Sequence, residues 1–398
     1  MPKVLRILNR FNVGGPTYNA VYLSKYLPAG YETLLMGGEI DPSEESSLFI
    51  ARNEGLSPLV IPEMRRSINP FADRKALKKI KEIMGDYKPD IVHTHASKAG
   101  VLGRKAAFSL KVPVVVHTFH GHVFHSYFNP VKTALIKRFE RSLARKSSAI
   151  VAISEEQKHE LVNIHRICEA SKMHVIPLGF DLEKFAMDTQ EKRRLFRQKY
   201  WVADDEIAVT IVGRLVPVKN HMFFVRVMEN VLKRSKRKLR FFIVGDGEER
   251  QNILNKLAEL KIDHCYWPVE QKKAVVTLTS WSKEVDVVNA GSDIIVLTSL
   301  NEGTPVSLIE AQAAGKPIVS TRTGGINNIV LEGESAFLTG VDQVDLFTEN
   351  LTYIIENDDI RKKMELAGRD FVMERFTYKR LCADMAVLYE TLLQGGHK

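Results

Sequence analysis

Two carboxylates, Glu302 and Glu310, stand eight positions apart in the stretch Asn301-Glu302-Gly303-Thr304-Pro305-Val306-Ser307-Leu308-Ile309-Glu310. The run before them, Asp293-Ile294-Ile295-Val296-Leu297-Thr298, is apolar and β-branched and reads as a buried parallel strand. Pro305 suits the first turn of a helix, where no amide hydrogen is needed. The chain therefore runs strand, short loop, helix start, with Glu302 in the loop and Glu310 inside the helix. Open amides at a helix start, near Gly303 and Thr304, favour phosphate. A carboxylate beside an anion is repelled by it and is better matched to neutral hydroxyls. Amides for a diphosphate and carboxylates for ribose and sugar hydroxyls together suit a sugar nucleotide. Two surface glutamates on an ordinary helix are the alternative that spacing alone leaves open.

Other strand ends carry further groups. Ile211-Val212-Gly213-Arg214-Leu215-Val216-Pro217-Val218-Lys219 places two cations, Arg214 and Lys219, after one strand, where they can offset the charge of a departing diphosphate. A basic loop before a helix is the plainer reading. The first strand leads into Asn12-Val13-Gly14-Gly15-Pro16-Thr17, whose paired glycines allow close backbone approach to a ligand. Histidines gather in His93-Thr94-His95 and in His117-Thr118-Phe119-His120-Gly121-His122, with His125 beyond. No cysteine or acidic residue falls at a familiar zinc-ligand spacing, so no metal is expected. Gly121 allows a tight turn that would present His120, while His93 and His95 read as satisfied beneath it. Asp246, in Gly245-Asp246-Gly247, reads as a turn or capping residue rather than an acid catalyst. The pair Gly324-Gly325 serves either the same ligand or helix packing.

These groups must be held by strands. Apolar runs at Val4–Leu8, Thr33–Met36, Asp90–His93, Val112–His117, Ala149–Ile153 and His174–Pro177, then Ile207–Val212, Leu239–Val244, Val275–Leu278, Asp293–Leu297 and Pro317–Ser320, alternate with helical patterns. The expected class is α/β, with two doubly wound parallel sheets whose ligands lie beyond the strand carboxyl ends. A chain of 398 residues exceeds one ordinary core. The expected division is 1–185, 186–375, and a C-terminal amphipathic helix within 376–398 that can pack on either domain.

Composition bounds the setting. No stretch reaches the ~18 apolar residues of a membrane span, and the N-terminus is too short and charged for a secretory leader. Three scattered cysteines form neither a disulfide framework nor a metal knot, so a cytoplasmic location is expected. Residues 1–190 carry 27 Lys and Arg against 19 Asp and Glu, whereas residues 191–398 carry 30 against 29. The basic first half is suited to an anionic partner such as a lipid diphosphate or membrane surface, or is simply a solvated lysine-rich face. Two helical patterns there, Phe71–Met84 and Lys132–Lys146, are basic, and Leu135, Phe139 and Leu143 form an apolar stripe on the second. Nucleic acid is not expected, for want of interleaved aromatics and recognition motifs.

Taken in order, Gly14-Gly15-Pro16, the His-Thr-Phe-His-Gly run ending at Gly121, Val175-Ile176-Pro177-Leu178-Gly179-Phe180-Asp181, Gly213-Arg214-Leu215 with Lys219, Gly245-Asp246-Gly247, and Glu302 with Glu310 resemble the retaining glycosyltransferases of family 4. The resemblance spans about residues 4–330. It implies the GT-B fold, two Rossmann-like domains facing a central cleft, with the last helix returning to the first domain. It also implies roles. Arg214 and Lys219 would bind the donor diphosphate with amides near Gly303 and Thr304, and Glu310 would hold the ribose. Glu302 and His120 would be the catalytic pair at the sugar, Gly14 and Gly15 would approach the phosphates, and Ser280 and Trp281 would meet the base. A UDP-sugar donor, a lipid-linked saccharide acceptor, no cofactor and a peripheral place at the inner membrane face complete the expectation. Leu178 departs from the asparagine often found there, which removes a polar contact. A sugar-nucleotide epimerase and a non-catalytic nucleotide-sugar binder are the competing readings.

Overall fold

The computed structural model describes residues 1–12, 15–40, 46–65, 69–121 and 130–395. Gly14, His122 and His125 lie outside the described residues. The chain divides into two compact units, one of Met1–Phe180 with Arg375–Lys398 and one of Asp181–Glu374. Each is built on a seven-stranded sheet.

In the first unit the strands are β1 (Lys3–Leu8), β2 (Glu32–Gly38), β3 (Leu59–Ile61), β4 (Ile91–His95), β5 (Val114–Thr118), β6 (Ala149–Ala152) and β7 (Met173–Val175). All are parallel, in the order β3-β2-β1-β4-β5-β6-β7. The second unit holds β8 (Glu206–Val212), β9 (Lys238–Val244), β10 (His264–Tyr266), β11 (Val276–Ser280), β12 (Ile294–Leu297), β13 (Ile318–Thr321) and β14 (Ala336–Thr339). These too are parallel, in the order β10-β11-β9-β8-β12-β13-β14. Strand order reverses between β1 and β4, and again between β8 and β12, the crevice where such sheets receive ligands.

Buried parallel strands need apolar residues on both faces, which explains their continuous runs. On one face of the first sheet, Leu5, Ile7, Val92 and Val115 pack with Ala76, Ile80, Met84 and Ala106 from the helices Pro70–Tyr87 and Ser97–Ser109. On the other, Val4, Ile91, Val114 and Val116 pack with Leu381, Met385, Leu388 and Tyr389 of the C-terminal helix Tyr378–Gly395. Backbone bonds from Phe180 N to Phe376 O (2.8 Å) and Tyr378 N to Phe180 O (3.0 Å) seat that helix. Arg380 secures it further by donating to the carbonyls of Pro177 and Leu178 at 2.7 and 2.9 Å.

One expected face changes. Leu135, Phe139 and Leu143 are not buried together, because each i, i+4 step turns about 40° around a helix of 3.6 residues per turn and only Leu143 reaches the buried side. In the helix Pro130–Lys146, Leu143 is buried while Leu135 is 62% exposed and Phe139 38%. The buried side centres instead on Glu140, whose carboxylate accepts from the fully buried Arg104 at 2.6 Å.

Candidate active site

At the reversal point of the second sheet, the loops after β8 and β12 are stitched together. Leu300 N donates to Val218 O (2.8 Å), and Thr298 Oγ1 donates to Lys219 O (3.0 Å). This backbone frame brings Lys219 Nζ to 2.5 Å from Glu302 Oε1, and Ser299 Oγ donates to the same oxygen at 2.5 Å. Both side chains of the pair are mostly buried. Glu302 Oε2 has no hydrogen bond among the described residues. Gly324 packs against this loop in the left-handed region (φ 52°), and a Cβ there would stand 1.7 Å from the Glu302 carbonyl oxygen. Only glycine allows that approach, so the pair Gly324-Gly325 shapes the Glu302 loop, with Gly325 N donating to Gly303 O at 2.9 Å.

The helix that follows spans Val306–Ala313, with Pro305 at its cap position and no side chain bonded to its first amides. Those donors, together with the exposed Gly303 and half-buried Thr304, remain open to an anion. Arg214 is exposed and makes no side-chain hydrogen bond or ion pair among the described residues. The Glu310 carboxylate also has no hydrogen-bond partner among them. Burial pushes its carboxyl up to about 7, with Lys184 pulling it down and Asp286 pushing it further up. A partly buried carboxyl held without protein donors is suited to a ligand that brings its own hydroxyls.

Ser280 and Trp281 lie two strands from β8, at the end of β11. The Ser280 hydroxyl donates to Asp246 Oδ2 (3.0 Å) and its carbonyl accepts from Gly245 N (3.0 Å), while Trp281 is 60% exposed. Asp246 also accepts from Tyr266, Arg250 and its neighbour Gly247 N. Burial would raise its pKa, yet these bonds outweigh that and lower it. Asp246 therefore fixes the turn after β9 and holds the end of β11.

In the first unit, Gly15 opens the helix Gly15–Lys25, with Leu178 Cδ1 3.5 Å from where a Cβ would stand. The non-polar Leu178 packs beneath the glycine instead of supplying a polar group. Four histidines gather at the ends of β4 and β5. His93 Nδ1 faces Arg6 Nη1 (3.1 Å) and Tyr389 Oη (2.6 Å), and His93 Nε2 faces Thr118 Oγ1 (2.7 Å). His117 Nδ1 meets Thr94 Oγ1 at 2.8 Å. His95 Nδ1 lies 2.9 Å from His120 Nε2. Burial holds all four neutral, His120 at about 3. Among the described residues no three His, Cys, Asp or Glu side chains are arranged to hold a metal ion.

Two family models match the chain: "Glycosyltransferase Family 4" over residues 13–184 and "Glycosyl transferases group 1" over 192–371. The chain is 31% identical to a UDP-Gal:α-D-GlcNAc-diphosphoundecaprenol α-1,3-galactosyltransferase of Escherichia coli, over 85% of this chain and 84% of that one. The chain belongs to the family 4 glycosyltransferases. The fold agrees with a glycosyltransferase of Rickettsia africae (TM-score 0.79, 22% identity, 98% of each chain). It agrees equally with the Anabaena protein HepE crystallised with UDP (TM-score 0.79, 18% identity, 98% of this chain and 100% of that one). The GT-B architecture expected from the motifs is therefore the architecture of this glycosyltransferase.

The structure of this family 4 glycosyltransferase also shows partners that the motifs did not name. Ser299, one residue past the apolar run that marks β12, anchors Glu302. Arg6, fully buried in the middle of β1, donates to Ser24 Oγ, Leu23 O, Tyr389 Oη and His93. A lone arginine inside Val4-Leu5-Arg6-Ile7-Leu8 was the available signal, since a buried cation demands a polar site built around it.

Proposed function

We propose that this glycosyltransferase transfers a hexose from a nucleotide sugar, a UDP-sugar foremost, to a lipid-linked saccharide in polysaccharide assembly, with retention of anomeric configuration. The observation that carries this reading is the convergence of Lys219, Glu302 and an uncapped helix start at the reversal point of the second sheet, with the open Glu310 carboxyl in the helix behind. The relatives support the donor and acceptor classes: HepE binds UDP, and the Escherichia coli enzyme is named for a UDP-galactose donor and a diphosphoundecaprenol acceptor.

In this reading Lys219, Arg214 and the amides of Gly303 and Thr304 receive the diphosphate, and Glu310 accepts from the ribose hydroxyls. Base contacts fall to Trp281 and the backbone of Ser280, and Gly14 and Gly15 approach the phosphates. The bond from the anomeric carbon to the phosphate oxygen breaks as positive charge develops on the sugar. The acceptor oxygen attacks from the same face, and its proton passes to the departing phosphate. Lys219 and the helix amides stabilise the charge that accumulates on the leaving group. Glu302, already fixed by Lys219 and Ser299, offers Oε2 to a sugar hydroxyl near the reacting centre, and His120 serves the sugar from the first unit. Catalysis in this scheme uses no metal.

The basic first unit would rest on an anionic membrane surface at the cytoplasmic side. Leu135 and Phe139 are exposed on the helix Pro130–Lys146 beside exposed Arg138, Arg141 and Arg145. Apolar residues set among cations are suited to a headgroup layer. No helix among the described residues is long and apolar enough to cross a membrane.

Thermal shift against UDP, GDP, ADP and their sugars tests the donor site. Stabilisation by the uridine compounds, lost in Arg214→Ala and in Glu310→Ala, is expected. Stabilisation by none of them would overturn the nucleotide-sugar reading.

A further inference from the structure

The histidines of the first unit form an ordered stack, not a loose group. The register of β1, β4 and β5 sets Arg6 opposite His93, Leu8 opposite His95, and His95 opposite Thr118. Side chains two apart on a strand share a face. Arg6, His93, His95 and Thr118 therefore climb one face of the sheet toward its carboxyl edge, where His120 follows β5. The rings of His93 and His95 lie 4.2 Å apart at 31°, and those of His95 and His120 5.2 Å apart at 29°.

The proton positions in this stack follow from the partners. Arg6 carries only donors, so His93 Nδ1 must accept, and Nε2 carries the proton that it donates to Thr118 Oγ1. The upper pair has two arrangements. If His120 Nε2 donates to His95 Nδ1, then His95 Nε2 holds a proton with nothing to receive it in a fully buried ring. If His95 Nδ1 donates to His120 Nε2, the spare proton sits on His120 Nδ1, in a ring that is half-buried at the strand edge. Both His95 Nε2 and His120 Nδ1 are buried atoms without a partner among the described residues. Each arrangement leaves one N–H and one bare nitrogen without a partner; the unpaired N–H costs less in the half-buried ring of His120, where a ligand can receive it, than in the fully buried ring of His95, which selects the second arrangement.

We infer that His95 is a positioning residue: by donating from Nδ1 to His120 Nε2 it fixes His120 as the Nδ1–H tautomer, a neutral donor that no described side chain engages and that is left for an oxygen of the substrate. This inference deepens the proposed function and rests on it for the identity of that oxygen, a sugar hydroxyl or a phosphate oxygen. The low pKa of His120, caused by burial, agrees with a role that never requires the imidazolium. His120 is then a hydrogen-bond donor and not the proton-transfer base of the reaction.

The test reads the tautomer directly and needs no substrate. Protein carrying ring-15N histidine is examined by long-range proton–nitrogen NMR, with the His120 signals assigned by their loss in His120→Gln. The wild type is expected to show a protonated Nδ1 and a bare Nε2 at His120. His95→Asn, whose amide can donate from about the position of Nδ1, is expected to keep that pattern. His95→Ala is expected to give a mixture of tautomers and to lower kcat about tenfold, the scale of one net hydrogen bond, with donor KM changed less than twofold. His95→Asn is expected to recover most of the lost rate. Protonation at Nε2 in the wild type, or an unchanged tautomer in His95→Ala, would overturn the inference. Loss of donor KM and kcat together in His95→Ala would assign His95 a merely structural role. A set tautomer in an enzyme that uses no nucleotide sugar would leave the His95–His120 relation standing and remove the proposed reaction. Deoxygenated donor sugars then separate the two oxygens: loss of the His120 effect with one missing hydroxyl identifies that hydroxyl, and no such loss assigns the phosphate.

Discussion

At the scale of single residues, Glu302 and Glu310 are set in different surroundings and should fail differently. Glu302 already accepts from Lys219 and Ser299. Glu302→Gln should therefore lower kcat about 100-fold or more, as expected for a group aimed at the reacting centre, while nucleotide affinity stays within a few-fold. Steady-state kinetics with calorimetric binding of the nucleoside diphosphate checks this, and equal small effects on both would remove the role. Glu310 carries a pKa raised to about 7 from an ordinary 4.5. Its folded state holds a proton that the unfolded chain loses between about pH 4.5 and 7, so stability from this group declines as pH rises through that window. Glu310→Gln should then melt a few degrees higher than wild type at pH 8 and alike at pH 4. Ribose hydroxyls favour the ionised form, so nucleotide affinity should strengthen from pH 6 to pH 8 with release of a proton. Calorimetry in two buffers of different ionisation enthalpy measures that proton. Affinity that is flat with pH in the wild type would contradict the assignment.

Elements explain what was legible and what was not. The central strands announce themselves because burial on both faces forces long apolar, β-branched runs, as in Asp293–Leu297 and Leu239–Val244. The strands that the sequence did not reveal, β3, β10 and β14, are short and lie at sheet edges, where one neighbour is missing and the apolar requirement relaxes. The helix Pro130–Lys146 was legible as a helix but not in its facing, because Glu140 is the centre of its buried side. That choice depends on Arg104 from another helix, 36 positions away. Removing the carboxylate leaves a buried guanidinium unpaired, so Glu140→Ala should destabilise the first unit by about 3–5 kcal/mol. Chemical denaturation followed by signals from each unit checks it, and a loss below 1 kcal/mol would show that water replaces the partner. The motif residues around Gly213, Lys219 and Glu302 were legible because strand ends and glycines mark them. Their tie to Ser299 and Gly324 was not, since it depends on which loops the sheet order brings side by side.

At the scale of the whole molecule, charge asymmetry between the halves is a property that composition alone supplies, and the fold adds where it can act. Leu135 and Phe139 stand exposed among arginines, so the protein should bind vesicles containing anionic lipid and should leave them as salt rises toward the point where screening is nearly complete. Leu135→Ser with Phe139→Ser should weaken that binding at low and high salt alike, whereas Arg138→Gln with Arg145→Gln should weaken it only at low salt. Co-sedimentation with vesicles distinguishes the two, and equal binding to neutral and anionic vesicles would refute the electrostatic part. Sugar transfer itself can be observed directly. The direct measurement is incubation with the proposed donor and the proposed lipid-linked saccharide, followed by mass spectrometry of the lipid and NMR of the new linkage. A gain of one hexose with the donor's anomeric configuration, matched by one nucleoside diphosphate released, is the expected result. Consumption of the donor without any gain on the lipid, or an inverted linkage, would contradict the account.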